Sequence, residues 1–260
     1  KKIFQSILFL KYIIKFLILY KLKMYKILIS LILWPIWFVY TFFVLILIFF
    51  LIFIIPRKIF YFFLRPFCWF WCFFGGQILK KDNMPPSASE QPYIYMFNHT
   101  SMFDQFMIGA FVNHYITAVA AIEVFRYPLW GQVCRRYGII PIPRTRIKQA
   151  LKSLVRAQDK ISKGSSIIIA PEGTRTLNGE IGLFKKGPFH LAKNSGATII
   201  PIGLIGGFKA KKKSDWKLRP GILRIRFGAP IYSKEYSDLT IEELRDSVRK
   251  RIKDLIKEKD

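Results

Sequence analysis

Tyr93-Ile94-Tyr95-Met96-Phe97-Asn98-His99-Thr100-Ser101-Met102-Phe103-Asp104 changes character at its midpoint. Five consecutive apolar or aromatic residues favour a strand buried on both faces, and the polar run behind them is a turn leading into a helix. A second stretch repeats the design, with Ile167-Ile168-Ile169-Ala170 followed by Pro171-Glu172-Gly173-Thr174-Arg175. Working outward, further strands are expected over 117–121, 138–142, 198–202 and 223–227. Helical spacing marks 147–162 and 187–194, and the stretches after Thr100 and Tyr127 also read as helices. Near the end, Thr240-Ile241-Glu242-Glu243 is a capping box, and Ile241, Leu244, Val248, Ile252 and Leu255 form an apolar stripe behind it. Strands alternating with helices predict an α/β fold, a largely parallel β-sheet flanked by helices. In such sheets the chemistry sits at the carboxyl ends of the strands, where both quoted stretches turn polar.

Composition divides the chain. Its 260 residues hold 42 Lys and Arg against 16 Asp and Glu, a net charge of +26, yet 52% are hydrophobic. No acidic residue precedes Asp82, so residues 1–81 carry +12 and the remainder, thirty basic against sixteen acidic, carries +14. A disordered tail and an ordinary soluble domain are both excluded by this balance. Residues 27–56 are uncharged, and about 20 apolar residues suffice to span a bilayer. As one straight helix they would measure ~45 Å against a hydrocarbon core of ~30 Å, so a tilt, bend or late start is expected. Trp34-Pro35-Ile36-Trp37 is the predicted place of a break. Upstream, 3–20 is apolar with Lys11 and Lys15 on one helical face, the pattern of a helix lying among lipid headgroups. Downstream, the aromatic clusters 60–63 and 67–74 around Arg65-Pro66 read as a second interfacial or re-entrant segment. Both flanks of the uncharged run are basic, which favours a hairpin over a single transmembrane helix and places the following domain on the cytoplasmic side of the membrane. The predicted organisation is an anchoring segment over 1–76, a polar linker over 77–90 and a domain over 91–260. Cys68, Cys72 and Cys134 offer neither an even disulfide framework nor zinc spacing, so they are expected as buried free thiols and no metal site is predicted.

His99 stands at the end of an apolar strand, with Asp104 five positions on. Five helical steps turn the chain by about 140°, so the two meet only if His99 precedes the helix and Asp104 lies in its second turn. The carboxylate would then fix the tautomer of the ring and raise its basicity, although a purely structural pair fits the same spacing. Gly173 permits close backbone approach and Arg175 offers a planar fork for phosphate oxygens, where a salt-bridged turn would use the same residues. Ser101 lacks the strand-to-helix elbow of a serine nucleophile, and His114 and His190 are assigned to packing or surface.

Taken together, Asn98-His99-x4-Asp104 and Pro171-Glu172-Gly173-Thr174-Arg175 resemble the glycerolipid acyltransferases of the 1-acylglycerol-3-phosphate acyltransferase type. Two further blocks of that family are recognisable. Glu123, Pro128-Leu129-Trp130-Gly131 and Gly138-Ile139-Ile140-Pro141-Ile142-Pro143-Arg144 resemble its acceptor-binding block, and Ile199-Ile200-Pro201-Ile202-Gly203 resembles its fourth, proline-centred block. The resemblance spans roughly 90–230. It implies direct transfer of an acyl chain from a thioester, acyl-coenzyme A or acyl carrier protein, to the sn-2 hydroxyl of lysophosphatidic acid, with no bound cofactor. It further implies His99 as general base and Asp104 as its orienting partner, with oxyanion donors among the backbone N–H groups near 171–173. Arg144 and Arg175 would hold the acceptor's phosphate, and Asn98, Glu123, Gly138, Glu172, Gly173 and Thr174 would complete the substrate site. The chain departs from the family where Ala121-Ile122-Glu123 stands in place of Lys-x-Glu, and where Pro143 precedes Arg144 in place of an acidic residue. These departures keep a lysophospholipid with a larger headgroup as an alternative acceptor.

A non-catalytic basic protein of membrane surfaces or nucleic acids is the reading from another class, drawn from the net charge and from Lys209-Ala210-Lys211-Lys212-Lys213. No helix-turn-helix, zinc-finger or RNA-binding signature accompanies that run. Nucleic acid is therefore not an expected partner, whereas membrane lipids are.

Overall fold

The computed structural model describes residues 2–143 and 145–257, with the side chains of 2–10, 19, 22 and 23 left out of the description. Seven strands form one sheet: β1 (Gln77–Lys81), β2 (Tyr93–Phe97), β3 (Ile116–Ala121), β4 (Ile140–Ile142), β5 (Ser166–Ile169), β6 (Thr198–Ile205) and β7 (Gly221–Phe227). Their order is β1-β7-β6-β2-β5-β3-β4, and every neighbouring pair is parallel except β6–β7. The helices are α1 (Lys2–Ile54), α2 (Arg57–Phe74), α3 (Asp104–Phe111), α4 (Trp130–Tyr137), α5 (Ile147–Ser162), α6 (Gly187–Ser195), α7 (Gly207–Ala210), α8 (Ser233–Tyr236) and α9 (Ile241–Ile256). The fold is α/β, as the alternation of patterns predicts.

The run at 93–97 is apolar throughout because both faces of β2 are covered. Tyr93, Tyr95 and Phe97 enter one core with α2 and α3, while Ile94 and Met96 enter another with α5, α6 and α9. The last helix follows its sequence signature: Thr240 Oγ1 accepts from the Glu243 N–H at 3.2 Å, Glu243 answers on the Thr240 N–H, and Leu244, Val248 and Ile252 are fully buried.

Three expectations about the first ninety residues change. The helix does not break at Pro35, because α1 runs through it to Ile54 and the chain bends at Ile55-Pro56. Contacts on both sides hold α1 in register there. Ser30 Oγ accepts from the Leu218 N–H at 3.0 Å, Trp34 Nε1 donates to the Trp216 carbonyl at 2.9 Å, and Trp37 meets Trp71 edge to face. One missing N–H is tolerated where tertiary contacts over-determine the helix and no water competes for the bonds that remain. Secondly, α2 does more than sit at an interface. Phe60, Tyr61, Cys68 and Cys72 are buried, Phe60 meets Tyr137 of α4 edge to face, the Tyr61 hydroxyl donates to the Val112 carbonyl at 3.0 Å, and Trp71 stacks on Phe106 of α3. The pairing of Trp37 with Trp71 and of Tyr40 with Phe67 and Phe74 makes α1 and α2 an antiparallel hairpin. Thirdly, the predicted linker over 77–90 opens as edge strand β1, paired in parallel with β7, and Asn83 clips the Phe227 backbone at 2.6 and 2.9 Å.

The outer side of α1 is uncovered and aromatic, with Phe38, Phe42, Phe43 and Phe50 all more than half exposed. Within it Met24–Ile54 is long and apolar enough to cross a membrane. Such a surface suits lipid, and the helix is a membrane-associating element.

Candidate active site

The carboxyl ends of β2, β5 and β6 lie side by side at one edge of the sheet, and the two quoted motifs leave the first two of them. Asp104 is the first residue of α3, a turn earlier than expected, and His99 lies ahead of the helix as the pairing requires. His99 Nδ1 is 2.8 Å from Asp104 Oδ2, and the same oxygen accepts the backbone N–H groups of Thr100 at 2.6 Å and Ser101 at 2.9 Å. Asp104 is wholly buried, while 16% of the His99 side chain remains exposed. An acceptor-only carboxylate assigns the proton to Nδ1 and leaves Nε2 with its lone pair, and among the described residues Nε2 has no hydrogen-bond partner.

Glu172, expected to shape a substrate pocket, is turned inward. Its Oε1 accepts the His99 N–H at 2.7 Å and its Oε2 the Gly182 N–H at 2.9 Å, so it ties the strand end carrying His99 to the loop after the second motif. Burial pushes its carboxyl above the ordinary range, and the two backbone donors pull against that shift. Asn98 is likewise interior: its amide donates to the Leu204 carbonyl at 2.9 Å and accepts the Leu204 N–H at 2.7 Å, cross-linking β2 to β6. Both side chains spend their polar atoms on backbone groups.

Gly138 is moved further still. At φ +99° it is the left-handed cap ending α4, and it precedes β4, which places it at the amino edge of the sheet, opposite His99. Glu123 is exposed on a 3-10 turn, Ile122–Arg126, that follows β3 on the His99 edge. Arg144 lies outside the described residues. Gly173 has φ +69°, and its N–H bonds to the Ala170 carbonyl at 3.0 Å. With Pro171 lacking an N–H, the oxyanion donors expected near 171–173 reduce to the N–H of Glu172. Thr174 is exposed and Arg175 half-buried, both on this edge, where the Thr176 N–H donates to the His99 carbonyl at 2.9 Å. Ser101 Oγ is buried and donates to the Lys211 carbonyl, which agrees with its exclusion as a nucleophile.

Two features escaped the sequence reading. Gly207, at the start of α7, lies so close to the motif that a Cβ there would stand 2.5 Å from Thr100 Oγ1 and 3.1 Å from Asp104 Oδ1. The Gly206-Gly207 pair behind an apolar run was the available signal. Lys185, Lys211 and Lys213 also reach this edge; the sequence marks 209–213 only as a basic run, without tying it to the site, and marks Lys185 not at all.

Residues 77–205 match the model of the family described as Acyltransferase. This stretch is an acyltransferase domain. Relatives include the chloroplastic 1-acyl-sn-glycerol-3-phosphate acyltransferase of Brassica napus, 30% identical over 177 residues that make up 68% of this chain and 50% of the relative. The enzyme of the same name from Limnanthes alba is 32% identical over 67% of this chain and 63% of its own. The chain spans about half the length of several curated relatives that it matches, as with 50%, 49% and 47% of three of them. The crystal structure of the 1-acyl-sn-glycerophosphate acyltransferase PlsC of Thermotoga maritima superposes with a TM-score of 0.72 at 24% identity, covering 90% of this chain and 95% of that one. That likeness carries the fold of the acyltransferase domain together with its amino-terminal helices.

Proposed function

We propose that the protein moves a fatty acyl chain from an acyl thioester to the free sn-2 hydroxyl of lysophosphatidic acid, forming phosphatidic acid. The observation that carries this reading is the His99–Asp104 pair, a buried carboxylate fixing a partly exposed imidazole at the carboxyl edge of an acyltransferase domain. His99 Nε2 takes the hydroxyl proton as the oxygen attacks the thioester carbonyl. Asp104 steadies the imidazolium that forms. Collapse of the tetrahedral intermediate breaks the C–S bond, and the leaving thiolate recovers the proton from Nε2. The chemistry needs no bound cofactor, and either acyl-coenzyme A or acyl carrier protein supplies a suitable thioester.

A second acceptor reading rests on Ala121, which is buried and holds no charge where the resembled family carries a lysine. It is a lysophospholipid with a larger headgroup. In either case α1 and α2 would anchor the enzyme in the cytoplasmic membrane, with the domain on the cytoplasmic side and His99 level with the lipid's free hydroxyl. His99→Ala in detergent-solubilised full-length protein tests the chemistry: acyl transfer should fall by at least about 10³-fold with the fold intact by circular dichroism. Turnover like that of the wild type would remove His99 from the mechanism.

A further inference from the structure

Four cationic side chains collect around the second motif, on the edge where His99 lies, drawn from three separate stretches of chain. Lys213 Nζ donates to Thr174 Oγ1 at 3.0 Å. Lys185 crosses over Gly173, where a Cβ would stand 2.9 Å from its Cε. Lys211 is buried and its ammonium is pushed down, first by burial and then by the charge of Arg175, which places those two cations close together. Lys211 spends its ammonium on the carbonyls of Lys212 and Asp215. Among the described residues, none of Arg175, Lys185 and Lys213 has a carboxylate within ion-pair distance. Like charges gathered without counter-charge cost Coulomb energy that a bound anion recovers.

We propose that Lys213 adds a cation to the phosphate subsite that the resemblance assigns to Arg175 and Thr174, and that with it the three form a clamp selecting a phosphomonoester dianion on the acceptor. Lys213 occupies a lone pair of Thr174, which frees the Thr174 O–H to donate outward. Lys213 keeps two N–H donors and Arg175 its planar fork. A phosphomonoester presents three terminal oxygens and close to two charges at pH 7, a phosphodiester one charge and fewer free oxygens. The clamp also answers the lost lysine at Ala121, since its second cation arrives from the segment between α7 and β7. That segment is held by α1 through Ser30 on Leu218 and Trp34 on Trp216. The membrane helix therefore sets the position of a specificity residue.

This inference rests on the reaction proposed above, but binding can be read without the reaction. Isothermal titration of the full-length protein with glycerol 3-phosphate, in the absence of acyl donor, compares wild type, Lys213→Ala and Lys213→Arg. Loss of the charge should weaken binding about tenfold, and Arg should restore it to within about twofold. Glycerophosphocholine, a phosphodiester, should bind the wild type at least about tenfold less tightly. Equal affinity of wild type and Lys213→Ala for glycerol 3-phosphate, or no preference of the wild type for the monoester, overturns the clamp. In turnover assays Lys213→Ala should raise KM for lysophosphatidic acid and leave KM for the acyl thioester unchanged; a rise confined to the thioester would assign Lys213 to the donor. Failure of the wild type to transfer acyl groups would count against the proposed reaction alone.

Discussion

At the scale of single residues, the pair at the centre of the site behaves as a positioned base and its orienter. Asp104→Asn keeps the size of the side chain but presents an amide N–H, or an uncharged acceptor, to Nδ1. The wrong tautomer is then stabilised, and kcat should fall by about 10³- to 10⁴-fold with little change in KM. Steady-state kinetics giving a kcat within tenfold of wild type would contradict the role. The meeting of His99 and Asp104 was legible because their spacing and chemistry are local. Asn98 and Glu172 lie in the two main motifs, and Gly138 opens the acceptor-binding block, yet they are bound up in Leu204, in the N–H groups of His99 and Gly182, and in a helix cap. A motif names residue types, whereas which side of the strand end each one takes is decided by β6 and by the loop at 182, both far along the chain.

At the scale of elements, six strands overlap the apolar runs, since faces covered on both sides favour apolar side chains at 93–97 and 167–169. β1 was not legible, because Lys80, Lys81 and the prolines after them read as linker, and an edge strand tolerates such residues on its open side. Beneath β2 and β5 sits His114, its Nε2 3.2 Å from Ser166 Oγ and 3.4 Å from the Tyr95 hydroxyl. Burial pushes this imidazole down to about 4, whereas in the unfolded chain it titrates near the ordinary histidine value of about 6.5. Between those values the unfolded chain binds the extra proton, so stability should be full above about pH 6.5 and decline as the pH falls toward 4. Urea midpoints at pH 7.5 and 5.5 check this; His114→Gln should reduce the difference, and an undiminished slope would place the sensitivity elsewhere.

At the scale of the molecule, excess basic charge and excess hydrophobicity belong to one design. The aromatic outer face of α1 is suited to lipid, α2 joins that helix to the core, and the cations of the 211–213 segment stand at the edge where His99 lies. The contacts of Ser30 with Leu218 and of Trp34 with Trp216 couple α1 to that segment. Ser30→Ala strips the buried Leu218 N–H and carbonyl of their partner, which should cost about 1–3 kcal/mol and loosen the segment carrying Lys213. Faster hydrogen exchange over 211–219 is the expected sign, and unchanged exchange there would mean that α1 does not hold the segment. The central claim is met most directly by product mass. Purified full-length protein, one acyl thioester and a panel of lysolipids should give phosphatidic acid from lysophosphatidic acid at a kcat/KM at least about tenfold above any lysophosphodiester. Preferred acylation of a lysolipid with a larger headgroup, or no acylated product from any acceptor, would contradict it.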